Sequence, residues 1–386
     1  MKTFCFKLYN SEHNNKLMRL INIAGFIYNH CIALHKRYYR LFGKYIHKYQ
    51  LQKHLTKLKR TKRFAYINSL DAQAAANITD RIDHAYNLFW SNLKRKKKSS
   101  PPNFKKVRRY KSFTLRQNGW KLDEAESKIR IVGKWYRYFK SRNIEGKVKT
   151  VTVKRDAVGD IYIYLVCDTQ RDNVRPRTGE SVGFDFGLKK FLTASDGHNI
   201  ESPYFFMQNI KEIRRKCRNL SRKKEGSKNH ERARKDLARS YRKMENQRKD
   251  FHFKTARKLC ERYAVICLED LNIKGMARQW GRKIHSLGFY SFVQILKHEA
   301  AKLGTKIIFV DRFYPSSQLC HVCGYKNTAV KDLKLREWVC PSCHTRHDRD
   351  TNAAVNILRA GVSAFSGDTV RPVSADSVVD AAILRH

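Results

Sequence analysis

The chain has 386 residues, and 81 Lys and Arg against 34 Asp and Glu give it a formal charge of +47. A field of that size has no use in an enzyme of small substrates; it fits a large acidic polymer, nucleic acid first. With 41% apolar and 12% aromatic residues the chain can build cores, which excludes a basic disordered tail.

In chain order, residues 1–10 predict a short strand. Residues 14–95 hold no proline and show helical spacing: Leu17, Leu20, Ile21, Ala24, Ile27 and Tyr28 first, then Ala74, Ala75, Ile78, Ile82, Ala85, Leu88 and Phe89. These stripes read as the core of a helical domain. A break at SSPPN follows. From 104 to 170 the segments KSFTLR, SKIRIV, KVKTVTVKRD and DIYIYLVCD alternate, separated by glycine turns, and predict an antiparallel unit that closes as a small barrel. The first strand can belong to that unit, with the helical block inserted. RDNVRPRTGE reads as a linker. Beyond it come a strand at VGFDFGL, helix from about 209 to 262, a strand at AVICLED, a helix near 289–303, a strand at TKIIFVD and a short helix at TNAAVNILRAG. The residues after 361 read as a flexible tail. Nothing in the sequence reads as a spanning segment of about 18 apolar residues or as a secretory leader, so a cytoplasmic protein is expected.

Between Lys211 and Lys258 there are 20 Lys and Arg against 6 Asp and Glu. Like charges at that density repel unless counter-charge arrives, so phosphate contact is favoured over a merely solvated helix pair. Aromatics lie among cations in GKWYRYFKSR, where Trp135, Tyr136, Tyr138 and Phe139 can stack on bases or pack in a β core.

Cys320 and Cys323 in CHVCG, with Cys340 and Cys343 in CPSC, form two C-x2-C pairs sixteen residues apart. Four thiolates at that spacing suit one tetrahedral Zn2+ in a closed structural site, with room for a β-hairpin between the knuckles. His321, His344 and His347 are nearby alternatives. The other six cysteines read as buried thiols. Asp185 interrupts an apolar strand, Glu269 ends another, and Asp350 stands where a helix begins. Taken alone, Asp350 could be a helix cap, and Asp348 competes with it. Together the three can meet at one sheet edge and hold two Mg2+ ions for phosphodiester hydrolysis. The residues alone favour a metal-dependent nuclease over a basic zinc-containing binding protein.

GFDFGLKKFLTASDG, CLEDLNIKGM and CHVCG with REWVCPSCHTRHDRDTNAAVNI resemble the three RuvC-like motifs and the zinc ribbon of the TnpB family, nucleases of IS200/IS605-type transposons similar to type V CRISPR effectors. The match covers about 180–360, and GDTVRP in the tail is similar to the family's C-terminal end. The resemblance implies an RNase H-like RuvC domain over 179–315 and 346–361 with a zinc ribbon inserted at 316–345. It implies a helical recognition domain at 13–98, within a wedge-like β-barrel made of 1–12 and 99–178, and a tail at 362–386. It carries the catalytic, Mg2+-binding acids onto Asp185, Glu269 and Asp350, preferring Asp350 to Asp348, and the zinc ligands onto Cys320, Cys323, Cys340 and Cys343. It implies a guide RNA from the transposon end, which pairs with double-stranded target DNA, and a protein that reads only a short flanking motif. Ser69 and Gln73, expected one turn apart on a helix, and Thr114 and Gln117 in the barrel are candidates for that reading. A non-cleaving RNA-guided binder and an unguided structure-selective nuclease are the alternatives. All three acids are present, which favours cleavage, and one chain holding all three favours a monomer.

Overall fold

The computed structural model describes residues 1–169 and 174–366. The chain divides into two compact units, Met1–Asp172 and Asn173–His386.

The first unit begins with β1 (Lys2–Lys7), α1 (Asn14–Phe42), α2 (Lys48–Leu58), a 3-10 segment (Lys62–Ser69) and α3 (Ala72–Lys94). Strands β2 (Ser112–Leu115), β3 (Trp120–Asp123), β4 (Lys128–Ile131), β5 (Lys134–Arg137), β6 (Lys147–Arg155) and β7 (Ile161–Asp168) follow. β1 pairs antiparallel with β7, so the first and last strands of the unit are neighbours and the helices are an insertion between them. The predicted α1 stripe is buried throughout. In α3 the stripe holds to Ile82, but Tyr86 is then buried and Leu88 is exposed. By length and composition α1 could cross a membrane, yet half of its most apolar window is buried inside the unit, as in a core helix.

The expected closed barrel is not found among the described residues. The strands form a four-stranded sheet, β1-β7-β6-β2, and a separate three-stranded sheet, β3-β4-β5, which share one core and are linked in strand pairing by the isolated bridge from Leu8 to Tyr138. β3, β4 and β5 have four residues each, about 13 Å, too short to wrap the core. At β2 the helix α3 packs instead, and the Arg81 guanidinium donates to the Ser112 carbonyl and hydroxyl.

The second unit holds β8 (Ser181–Phe186), β9 (Lys190–Ala194), β10 (Ile200–Glu201), α4 (Phe205–Ser221), α5 (Lys228–Arg262), β11 (Val265–Glu269), α6 (Ile273–Leu287), α7 (Phe289–Leu303) and β12 (Lys306–Val310). It ends with β13 (Glu337–Val339), β14 (Arg346–Asp348) and α8 (Arg349–Ser366). Its main sheet has the order β10-β9-β8-β11-β12, with β8, β11 and β12 parallel and β8-β9-β10 an antiparallel meander. Alternation sends Val182, Phe184, Phe186, Ile266 and Leu268 to one face, into a core with residues of α5 and α7. Cys267, Ile308 and Val310 face the other way and pack with Ile357 and Leu358 of α8. Helix, sheet, helix is the resulting order of layers. α8 runs on to Ser366, so residues 362–366 are helix rather than tail. GDTVRP and the rest of the tail lie outside the described residues, as does part of the linker.

Candidate active site and metal centre

β8 and β11 are parallel neighbours with Phe184 opposite Leu268, so Asp185 and Glu269 stand side by side one residue further on. Both point to the face that α8 covers. Helix α8 comes close because Gly183 has no side chain: a Cβ there would lie 2.2 Å from the Ala354 carbonyl oxygen and 2.5 Å from the Leu358 nitrogen. Two residues along β8 from Gly183, about 6.6 Å, is Asp185. One helical turn back from Ala354, about 6 Å, is Asp350. Strand and helix therefore bring these two acids to the same end of the sheet, next to Glu269.

The charges register this. Burial and then the Asp350 and Glu269 carboxylates push the Asp185 carboxyl well above the usual range, against a smaller opposing pull from Arg349. Burial, then Asp270, raises Glu269. Like charges held together at a half-buried site are costly without a cation, and carboxylate oxygens are the ligands that hard divalent ions take. The ligand atoms of the three acids do not form a knot all within 4.8 Å of one another, as the four cysteine sulfurs do.

The structure separates Asp348 from Asp350. Asp348 Oδ1 accepts from the Thr351 amide at 2.8 Å, so Asp348 is the cap of α8. Asp350 is left for the site, where both carboxylate oxygens lie 3.3 Å from Nη1 of Arg336. Arg336 comes from the segment between the cysteine pairs, and the sequence reading did not single it out. At Gly187 a Cβ would meet the Lys190 carbonyl at 2.6 Å, so the tight β8–β9 turn requires glycine.

Cys320, Cys323, Cys340 and Cys343 converge, with Sγ···Sγ distances of 3.6 Å for 320–343 and 323–340. Tetrahedral Zn2+ with Zn–S of about 2.3 Å needs sulfurs about 3.8 Å apart, so the residues fit that ion. The knuckles are built alike: Cys320 N donates to Tyr325 O and Cys340 N to Thr345 O, each at 2.9 Å. Each turn needs a left-handed residue, supplied by Gly324 and by His344 at φ 56°. The spacing leaves room for a β-hairpin between the knuckles, but that segment is built differently. β13 and β14 flank the second knuckle, a bridge from Leu319 to Lys326 flanks the first, and a 3-10 turn lies between. Buried His347 places Nε2 3.1 Å from Cys320 Sγ, a contact to a ligand rather than a ligand position.

Two asparagines of α8 hold the first knuckle, and sequence reasoning missed both. Asn352 Nδ2 donates to Leu319 O, while its Oδ1 accepts the His321 amide. Asn356 Nδ2 reaches both Ser316 O and Leu319 O. Their signal was available: two amides four residues apart within the apolar run NAAVNI.

The candidate DNA readers fall differently. Ser69 ends the 3-10 segment and Gln73 lies in α3, whose cap is Asp71, so they do not share a helix as expected. Leu70 is buried between the two elements and breaks the run. Gln73 Oε1 accepts from the Gln117 amide at 3.1 Å, which brings those two together. Thr114 is buried and bonded to Arg81 and Thr152. The basic stretch is the pair α4 and α5, and part of its acid is used internally, as in Lys216 with Glu212 and Asp236. Of the six other cysteines, Cys217 is exposed and Cys5 partly so.

Two stretches of the chain match family models. Residues 164–279, which include Asp185 and Glu269, match the OrfB_IS605 family, described as "Probable transposase". Residues 289–357, with the cysteines and Asp350, match the "Cas12f1-like, TNB domain". The chain is 28% identical to a protein of Streptomyces pristinaespiralis named "Putative RNA-guided DNA endonuclease", over 96% of this chain and 92% of that one. It is 27% identical to "Putative RNA-guided DNA endonuclease InsQ" of Escherichia coli K12, over 94% and 92%. It is 30% identical to "TnpB-like protein L79" of Acanthamoeba polyphaga mimivirus, over 56% and 44%. Among solved structures, a Cas12f1–sgRNA–target DNA complex aligns at TM-score 0.35 and 18% identity, over 92% of this chain and 98% of that chain. Over nearly its whole length the chain is thus similar to proteins named putative RNA-guided DNA endonucleases, and over about half of it to TnpB-like proteins.

Proposed function

We propose that the chain is an RNA-guided, Mg2+-dependent DNA endonuclease of a transposable element, cutting target DNA beside a short flanking motif. The observation that carries this reading is the convergence of Asp185, Glu269 and Asp350 at one end of a parallel sheet, with the Asp185 carboxyl raised by burial and then by its acidic neighbours. The names of the long relatives supply the guided substrate, and the charge of +47 suits it.

In this reading 179–315 and 346–361 form the RNase H-like RuvC domain and 316–345 is its zinc ribbon. Two Mg2+ ions, when bound, would supply an activated water and stabilisation of the leaving oxygen. Asp185, Asp350 and Glu269 would hold the Mg2+ through their carboxylate oxygens. Cys320, Cys323, Cys340 and Cys343 hold one structural Zn2+. The helical recognition domain and the β unit carry the guide RNA, and Ser69, Gln73 and Gln117 read the flanking motif, with Thr114 the least available of the four. The protein works as a monomer in the cytoplasm.

The test is to express the protein with its native flanking DNA and sequence the RNA that copurifies. One defined RNA ending in sequence copied from the flank is expected. With a matching target, Mg2+ should support cleavage by the wild type but not by Asp185→Ala. A mixed pool of host RNA, or undiminished cleavage by Asp185→Ala, would overturn the assignment.

A further inference from the structure

In the three-stranded sheet of the first unit, Lys121 lies opposite Arg130 and Arg130 opposite Trp135. Lys128 lies opposite Arg137. These residues share one face. The other face turns Ile129, Ile131 and Tyr136 into the core. Past β5 the chain pairs with the end of β1 through Leu8 and Tyr138, both buried, which puts Tyr9 and Phe139 on the outer face with the cations. The Tyr9 and Phe139 rings stack at 3.7 Å, and Trp135, Phe139 and Tyr9 are 46%, 45% and 46% exposed.

Two features of this surface lack a reason in the isolated protein. Directly opposed like charges destabilise a sheet, and here Lys121 faces Arg130 and Lys128 faces Arg137. Three large rings are left in water on the same face. Residues 119–142 hold seven Lys and Arg and three acids. The acids, Asp123, Glu124 and Glu126, all lie at the β3–β4 turn, where Glu126 takes Lys128 and its amide donates to Asp123. The rest of the face is basic and aromatic. A polyanion that also offers flat apolar faces satisfies both features, and an unpaired nucleic acid strand is that polymer. A duplex supplies the charge but hides its bases, and an acidic peptide supplies no rings to stack.

We propose that this outer sheet face, with Trp135, Phe139 and Tyr9 as stacking rings and Lys121, Arg130 and Arg137 as phosphate contacts, is a platform for an unpaired segment of the RNA the protein carries. The choice of RNA rests on the guided reading above. The platform lies in the first unit, whereas all three acids and the zinc ligands belong to the second.

The experiment uses the ribonucleoprotein with its copurified RNA, grown with 4-thiouridine, irradiated and mapped by mass spectrometry. Crosslinks are expected on peptides holding Tyr9, Trp135 or Phe139. In Trp135→Ala/Phe139→Ala the crosslinked bases should become reactive to 2′-hydroxyl acylation. RNA affinity should fall by about 5- to 150-fold per ring lost, the range for one stacked base. Lys121→Glu/Arg130→Glu tests the same face without touching the rings; it should weaken binding and flatten the salt dependence. If the wild type carries RNA, but crosslinks avoid the three rings and both variants hold it unchanged, the platform is overturned and the guided reading stands. Crosslinks from this face to target DNA alone would also overturn it. A wild-type protein that carries no RNA would fail the guided reading itself.

Discussion

Asn352 is almost fully buried, and its side chain connects α8 to the first cysteine knuckle. In Asn352→Ala the His321 amide and Nδ1 lose their acceptor, 3.0 Å away in each case. The Leu319 carbonyl loses one of two donors but keeps Asn356 at 2.7 Å. An unsatisfied buried group costs about 1–3 kcal/mol; His321 is only partly buried, so each of its two donors sits at the low end and the loss should be about 2 kcal/mol. If that support holds the cysteine turn around its metal, ion release should speed by about 10- to 100-fold, the usual size of an effect on a ligand's supporting bond. The assay is zinc release to a chromogenic chelator, with hydrogen exchange at the amides of 320–324. Asn356→Ala should behave similarly. The double variant should cost more than the two singles together, because only then is Leu319 O left without a donor. Release within about twofold of wild type would refute the clamp.

Three further outcomes follow from the acid site and its supports. Folded, metal-free protein keeps the Asp185 proton above the ordinary carboxylate range, so it binds more protons than the unfolded chain. Its stability should therefore fall as pH rises from that range through the raised value, and Asp185→Asn should remove the slope in thermal melts while abolishing the stabilisation by Mg2+. Arg336→Ala should lower the Mg2+ concentration for half-maximal thermal stabilisation by about two- to fivefold, as an exposed ion pair worth about 0.5–1 kcal/mol no longer competes for Asp350; an unchanged midpoint would count against the competition. Gly183→Ala should destabilise the second unit by about 1–3 kcal/mol and weaken the Mg2+ response, because its Cβ would push on the Ala354 carbonyl; a wild-type melt would contradict that packing.

The parts of the fold legible in the sequence were those with a period. The α1 stripe, β6, β7, β11 and α7 lie where alternation or helical spacing placed them. β3 and β5 are only four residues long, too few to show a period, and α6 was not read at all. Barrel closure was misjudged because it depends on what occupies each strand's edge, which no strand's own pattern records. At the candidate site the acids and cysteines stood out as chemistry in the wrong surroundings: a carboxylate in an apolar strand, thiols in pairs. Arg336 did not, because one more arginine among 81 Lys and Arg carries no signal until its partner is known. Gly183 did not, because its role is a distance to a helix more than 170 residues away in sequence.

The placement of the cysteine module follows from how α8 is used. Its first three turns serve two sites at once. Asp350 stands with Asp185 and Glu269, while Asn352 and Asn356 hold the knuckle at Ser316–His321. The module returns the contact, since Arg336 reaches Asp350 and the Arg349 amide donates to Arg336 O at 2.8 Å. A helix N-terminus frays readily because its first amides lack partners within the helix. Here that end is fixed by the Asp348 cap, by Gly183 beneath it and by the cysteine module around it. Losing the metal should therefore loosen Asp350 as well as the ribbon. Cys340→Ser/Cys343→Ser is expected to lose bound zinc, to lower the melting temperature of the second unit and to weaken the Mg2+ response, although neither cysteine belongs to the acid site. Retention of the full Mg2+ response in a protein shown to be free of zinc would mean that α8 holds Asp350 without help, and that the ribbon's contacts to it are incidental.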